Sequence, residues 1–272
     1  MSNKNEKSSV LAALPKDFAE ITQFIGALIA TPGPIAFNLL QVDASGSMGS
    51  DVEAVLQLMK LAIEDMKAEK EAARRTALAI QYFESRAHLV VPPTQLNLVQ
   101  TPTTYVPSGG TALYGTVADG IILLRTFHSA VMDACQRMGR QVPDILLALV
   151  VITDGYNQNQ DSQLRHQELL ALSKKAAEEG IVLRAIAIRM DPENLAQMLG
   201  FKPGWVTPVD RSDEGFHTAT RATSQTFTES MTRTYSRNPP QPSAGGTFTG
   251  VLVTDPDEIP TTTYSSTPPR KS

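Results

Sequence analysis

Gln41–Ser50 reads QVDASGSMGS, and this stretch joins an apolar run to a helical one. Upstream, Ile35–Val42 (IAFNLLQV) has the near-continuous apolar character of a strand buried on both faces. Downstream, Val52, Val55, Leu56, Met59, Ile63 and Met66 recur at helical spacing, with Lys60, Glu64, Lys67 and Glu71 on the opposite, wet face. Ser50 and Glu53 have the S-x-x-E spacing of a capping box, which predicts the helix start. Between strand and helix, Asp43, Ser45 and Ser47 alternate, so an extended backbone points a carboxylate and two hydroxyls to one side.

The same strand-then-helix alternation continues along the chain. Ala77–Glu84 and His88–Val91 read as a hairpin that adds one antiparallel strand, and a helix is predicted over Thr111–Met138, stopped by Gly139. Ile145–Ile152 (ILLALVVI) is the most continuous β-branched and leucine run, and is expected at the sheet centre. A helix over Asp161–Glu179, a strand over Val182–Ile188, a helix over Pro192–Leu199, a strand over Trp205–Val209 and a helix over Glu214–Thr234 complete the pattern. The fold class is therefore α/β: a doubly wound, mostly parallel sheet with one antiparallel edge strand and helices on both faces. Phe18, Ile21, Ile25, Leu28 and Ile29 mark a helix within an N-terminal extension, residues 1–34. The main domain is expected over 35–235. Residues 236–272 form a Pro/Ser/Thr-rich tail, expected to be flexible, in which Thr247–Thr254 could pair with a sheet edge.

Composition narrows the function classes. The 272 residues carry a formal net charge of −4 without a basic cluster, which argues against nucleic-acid binding. No leader-like segment opens the sequence, and the apolar run from Phe24 to Val42 is broken by Pro32, Gly33 and Pro34, so neither export nor membrane insertion is expected. The chain is expected in the cytoplasm. The single Cys135 excludes an intrachain disulfide and reads as a buried apolar residue.

In an open parallel sheet, ligands bind beyond the carboxyl ends of strands. Asp43 ends the first strand, and Asp154, in VVITDGYNQN, ends the expected central one. In PSGGTALYGT, Ser108, Gly109 and Gly110 permit a tight loop that would bring the Thr111 hydroxyl to the same rim. Carboxylate and hydroxyl oxygens are hard donors suited to Mg²⁺ or Mn²⁺ and poor for zinc. His88, His128, His166 and His217 are scattered and read as structural or surface residues.

Together these segments resemble the von Willebrand factor A domain family and its metal-ion-dependent adhesion site. The resemblance rests on D-x-S-x-S at Asp43, Ser45 and Ser47, a threonine in a later Gly-rich loop at Thr111, and a T-D-G turn at Asp154, in that order along the chain. It implies that the serines and the threonine bind the metal, with the aspartates acting directly or through water. An Asp or Glu of a partner protein would then complete the coordination shell. The implied function is a non-enzymatic, metal-dependent interaction module. Compact intracellular bacterial relatives linked to tellurium resistance and stress work beside ATPases, kinases or phosphatases, which suggests an adaptor role and partners of those kinds. Tyr105 and Tyr156 are candidate anchors on the docking face.

A phosphotransferase of the haloacid dehalogenase type also starts from an aspartate after a first strand. Its acid/base carboxylate two residues on is here Ser45. Neither G-x-x-x-x-G-K-[ST] nor a G-x-S-x-G elbow occurs. A further alternative is a structural module whose site is filled by Asp255, Asp257 or Glu258 of its own or a neighbouring chain's tail.

Overall fold

The computed structural model describes residues 18–155 and 162–236. Six strands form one sheet: β1 (Ile35–Asp43), β2 (Thr76–Phe83), β3 (Ala87–Gln95), β4 (Ile145–Thr153), β5 (Val182–Ile188) and β6 (Val206–Val209), in the order β3-β2-β1-β4-β5-β6. All pairs are parallel except β2–β3, which is antiparallel at the edge. Pro92 and Pro93 lie in β3, an edge strand of the sheet among the described residues, where missing donors are tolerated.

Six main helices cover the faces: α1 (Phe18–Ala30), α2 (Val52–Ala68), α3 (Leu113–Arg137), α4 (Ser162–Glu178), α5 (Pro192–Leu199) and α6 (Asp213–Ser236). β1 is buried along its whole length and divides its side chains by strand period. Ile35, Phe37 and Leu39 pack toward α1, α3, α4 and α5, while Ala36, Leu40 and Val42 pack toward α2 and α6. The apolar runs predicted as strands are therefore continuous because both faces are covered.

One polar seam crosses this core. Gln41 is fully buried, and its Nε2 donates to Gln81 Oε1 across the β1–β2 register (2.8 Å) and to the Thr116 carbonyl of α3 (2.7 Å). α3 comes this close at Gly120, where a Cβ would lie 2.5 Å from Gln41 Nε2 and 3.1 Å from Leu39 Cδ2.

Local signals mostly hold, with two exceptions. Gly139 and Gly180 end α3 and α4 with φ of 62° and 80°, in the left-handed region that glycine enters without strain. The Ser50–Glu53 capping box does not form. Gly46–Asp51 winds as a 3₁₀ turn that carries Ser50 inside it, and α2 begins after Asp51, whose side chain caps nothing. Thr111 does not open a helix either, since α3 starts at Leu113. Cys135 is buried, as expected. Thr247–Thr254 lies outside the described residues. Among the described residues no helix is long and apolar enough to cross a membrane.

Gly120→Val should lower unfolding stability by about 2–3 kcal/mol, because the added carbons must displace a buried amide held by two hydrogen bonds. Urea denaturation with an unchanged m-value would check it.

Candidate functional site

Between β1 and β4 the sheet's connections diverge, and this crevice collects the predicted residues. Val42 pairs with Ile152, so Asp43 and Asp154 leave neighbouring strands at the same edge. Asp43 has no solvent exposure. Its Oδ1 accepts from the Ser45 backbone N–H (2.8 Å) and its Oδ2 from the Thr153 hydroxyl (2.6 Å). The Ser45 and Ser47 hydroxyls lie 3.1 Å apart, and Ser47 Oγ donates to Asp154 Oδ1 (2.7 Å). Thr111 is 3% exposed and faces the same point from the third loop: a Cβ on Gly155 would sit 3.2 Å from Thr111 Oγ1 and 3.8 Å from Asp43 Oδ2. The five oxygen-bearing residues named from sequence thus share one rim, and the bare backbone of Gly155 keeps the space between them open.

The Gly-rich loop is laced onto the ends of β1 and β2. Ser108 N–H donates to the Ala44 carbonyl (2.7 Å), Gly46 N–H to Gly109 (3.1 Å) and Ala112 N–H to Glu84 (2.6 Å). Gly109 adopts φ of 66°, and a side chain there would strike Glu84 Oε2.

The aromatic expectation needs correcting. Tyr105 is not a surface anchor: it is buried, packs edge-on against Tyr82 with ring centroids 5.2 Å apart, and donates its hydroxyl to the Asp43 carbonyl. Burial pushes its phenol far above the ordinary range. The loop turns inward here because a buried carbonyl at the strand end needs a donor. Exposed apolar surface falls instead on the next residue, Val106, at 79%. Tyr156 lies outside the described residues, as do Asp255, Asp257 and Glu258.

Three participants went unnamed in the sequence: Thr153, Asp51 and Arg211. Arg211 follows β6 and reaches back over the rim, donating through Nη2 to Asp154 Oδ2 and to the Ser47 carbonyl (2.7 Å). Its Nε lies 2.7 Å from Asp51 Oδ2, an ion pair whose N–H is not aligned for a hydrogen bond. A position just past the carboxyl end of a strand was the available signal for Arg211. Burial raises the Asp51 carboxyl above its ordinary value, with Arg211 opposing that shift.

The donor set suits a hard divalent cation: carboxylates and hydroxyls alone, without imidazole or thiolate. Among the described residues no three His, Cys, Asp or Glu side chains gather closely enough to hold a metal by themselves, so the hydroxyls are indispensable to any such site.

The sequence matches the model of the von Willebrand factor type A domain over residues 39–225. No curated protein matches it. Similar solved structures include the pilus adhesin SpaC of Lactobacillus rhamnosus GG, with TM-score 0.53 and 12% identity over 75% of this chain and 30% of that one. The PilB minor pilin of Streptococcus sanguinis aligns with TM-score 0.50 and 12% identity over 76% and 64%. Proximal thread matrix protein 1 from the mussel byssus, in a structure with a zinc-occupied MIDAS motif, aligns with TM-score 0.43 and 17% identity over 71% and 46%. This chain spans less than half the length of the adhesin and of the mussel protein. Identities this low speak to fold alone.

Burial raises the Asp43 carboxyl above its ordinary value, against the opposing hydrogen bonds from Thr153 and Ser45. In the window between the unfolded and folded values the native state binds more protons. Stability therefore falls as pH rises through that window and stays lower at neutral pH. In EDTA the urea midpoint of the parent should fall as pH rises through that window, and Asp43→Asn should show a flatter dependence, since the amide does not titrate. Paired urea titrations across that pH range would check it.

Proposed function

Because the chain belongs to the von Willebrand factor type A domain family, whose members commonly act as metal-dependent protein-interaction modules, we propose that it is a cytoplasmic adaptor that docks an acidic residue of a partner protein through a divalent cation. The observation that carries this is the continuous run of oxygens from Asp43 through Ser45 and Ser47 to Asp154, with Thr111 facing it. Ser45, Ser47 and Thr111 would hold the ion through neutral oxygens, and Asp43 and Asp154 would balance its charge. Bound Mg²⁺ or Mn²⁺ would supply a coordination position that an Asp or Glu side chain completes.

This chain's own residues favour binding over chemistry. Asp43 is held by two donors at the floor of the crevice, and the place two residues on is a serine hydroxyl, which cannot act as a general acid near neutral pH. The exposed side of the rim, at Ser47 and at Val106 on the loop that Ser108 and Gly109 tie to Ala44 and Gly46, would meet the partner. An ATPase, kinase or phosphatase of a stress-response system is the kind of partner proposed.

Titration of the purified full chain with Mn²⁺ in a calorimeter should show a single site. Asp43→Ala should abolish it, and Ser47→Ala should weaken it by about tenfold or more. Metal-independent binding of partner, or hydrolysis of a phosphorylated substrate by the purified chain, would overturn the adaptor assignment. With the ion at about a hundred times its dissociation constant, stability should rise by about 2.7 kcal/mol over the chelated protein, read by thermal or urea unfolding.

A further inference from the structure

Arg211 is the one cationic side chain found bound into the rim among the described residues, and it does not belong to the residues that would ligate a metal. Its guanidinium spans two carboxylates that come from different loops, Asp51 ahead of α2 and Asp154 after β4. It also takes the Ser47 carbonyl. Asp154 is thereby fully engaged, Oδ1 by the Ser47 hydroxyl and Oδ2 by Arg211. Among the described residues Asp43, Asp51 and Asp154 bring three carboxylates to the crevice, and Arg211 cancels the charge of one.

Resting on the metal-binding assignment above, we propose that Arg211 is a built-in counter-cation that competes with the divalent ion for Asp154 and so sets how tightly the site is loaded. A divalent ion entering beside Asp43, Ser45 and Ser47 meets a positive charge already seated on the carboxylate it needs. Like charges at such range repel appreciably even where solvent screens part of the field. The guanidinium is also always charged, so the competition persists at every physiological pH. Loading then involves withdrawal of Arg211 from Asp154, and the exposed edge of Arg211 gives it room to turn toward Asp51 or solvent. The same contact makes metal-free protein stable: without Arg211, Asp51 and Asp154 would stand as unpaired, poorly solvated carboxylates.

Arg189 provides the internal comparison. It follows β5, is exposed with φ of 55°, and its charge acts on Asp51. Removing its charge changes the general field of the rim without freeing Asp154.

The test is Mn²⁺ binding to metal-free full-length protein at fixed ionic strength, by calorimetry or by the electron paramagnetic resonance of free Mn²⁺. The parent is compared with Arg211→Gln, Arg211→Lys, Arg189→Gln and Asp43→Asn. Arg211→Gln should bind about tenfold tighter. Arg211→Lys keeps the charge but cannot bridge Asp51 and Asp154 together, so it should fall between Gln and the parent. It is also the variant that decides the matter if Arg211→Gln does not fold. Arg189→Gln should change affinity by less than about threefold. In EDTA, Arg211→Gln should melt below the parent, and saturating Mn²⁺ should close that gap, a rescue that a purely structural role would not produce.

Affinity in Arg211→Gln and Arg211→Lys equal to or weaker than the parent's would overturn the proposal while leaving the metal site intact. So would an equal gain in Arg189→Gln. If parent and Asp43→Asn bind Mn²⁺ indistinguishably, the metal-binding assignment itself fails, and the role of Arg211 with it.

Discussion

A carboxylate with no solvent exposure, at the end of a strand in the middle of the sheet, is the constraint around which the rim is organised. Asp43 could not remain charged there unaided, since moving an ion out of water costs several kcal/mol. The Ser45 N–H and the Thr153 hydroxyl offset part of that cost. Each donor fixes more than a hydrogen bond. The Ser45 contact bends the chain just past β1, and the Thr153 contact ties β1 to the end of β4. Tyr105 then closes the backbone carbonyl of the same residue from the other side. A single buried residue, through its carboxylate and its carbonyl, therefore registers segments that are far apart in sequence.

Much of this was legible because a parallel sheet covered on both faces writes itself as unbroken apolar runs. β5 and α5 fall on the bounds expected from composition and turn residues, and β1 and β4 each extend by one residue, to Asp43 and Thr153. The shared rim of Asp43, Ser45, Ser47, Thr111 and Asp154 was legible because D-x-S-x-S, a threonine after paired glycines and a T-D-G turn each follow a predicted strand or precede a predicted helix. What stayed hidden depends on contacts that local spacing does not encode. Arg211 meets Ser47 across 164 positions, and nothing around either residue announces the other. Ser50 and Glu53 had the capping spacing, yet the chain between Gly46 and Asp51 tightens into 3₁₀ geometry before α2 can begin. Tyr105 was misjudged because aromatic loop residues are common on docking faces, whereas a buried strand-end carbonyl claims the nearest hydroxyl.

The rim divides into a fixed half and an adjustable half. Asp43, Ser45, Thr111 and Thr153 are all buried, and changing their partners would leave buried polar groups unsatisfied, so they act as a template. Ser47 is exposed and Arg211 partly so, and Asp154 connects them. Solvent reaches Ser47 and the outer edge of Arg211, so water can take over partners there, whereas it cannot at Asp43. Any rearrangement of the rim must therefore be taken up by the Ser47–Asp154–Arg211 side. Gly155 adds to this asymmetry, because any side chain at that position would crowd Thr111 and narrow the space between the two halves. The sheet supplies rigidity where the charge is buried, and the loops supply freedom only where solvent can compensate for it.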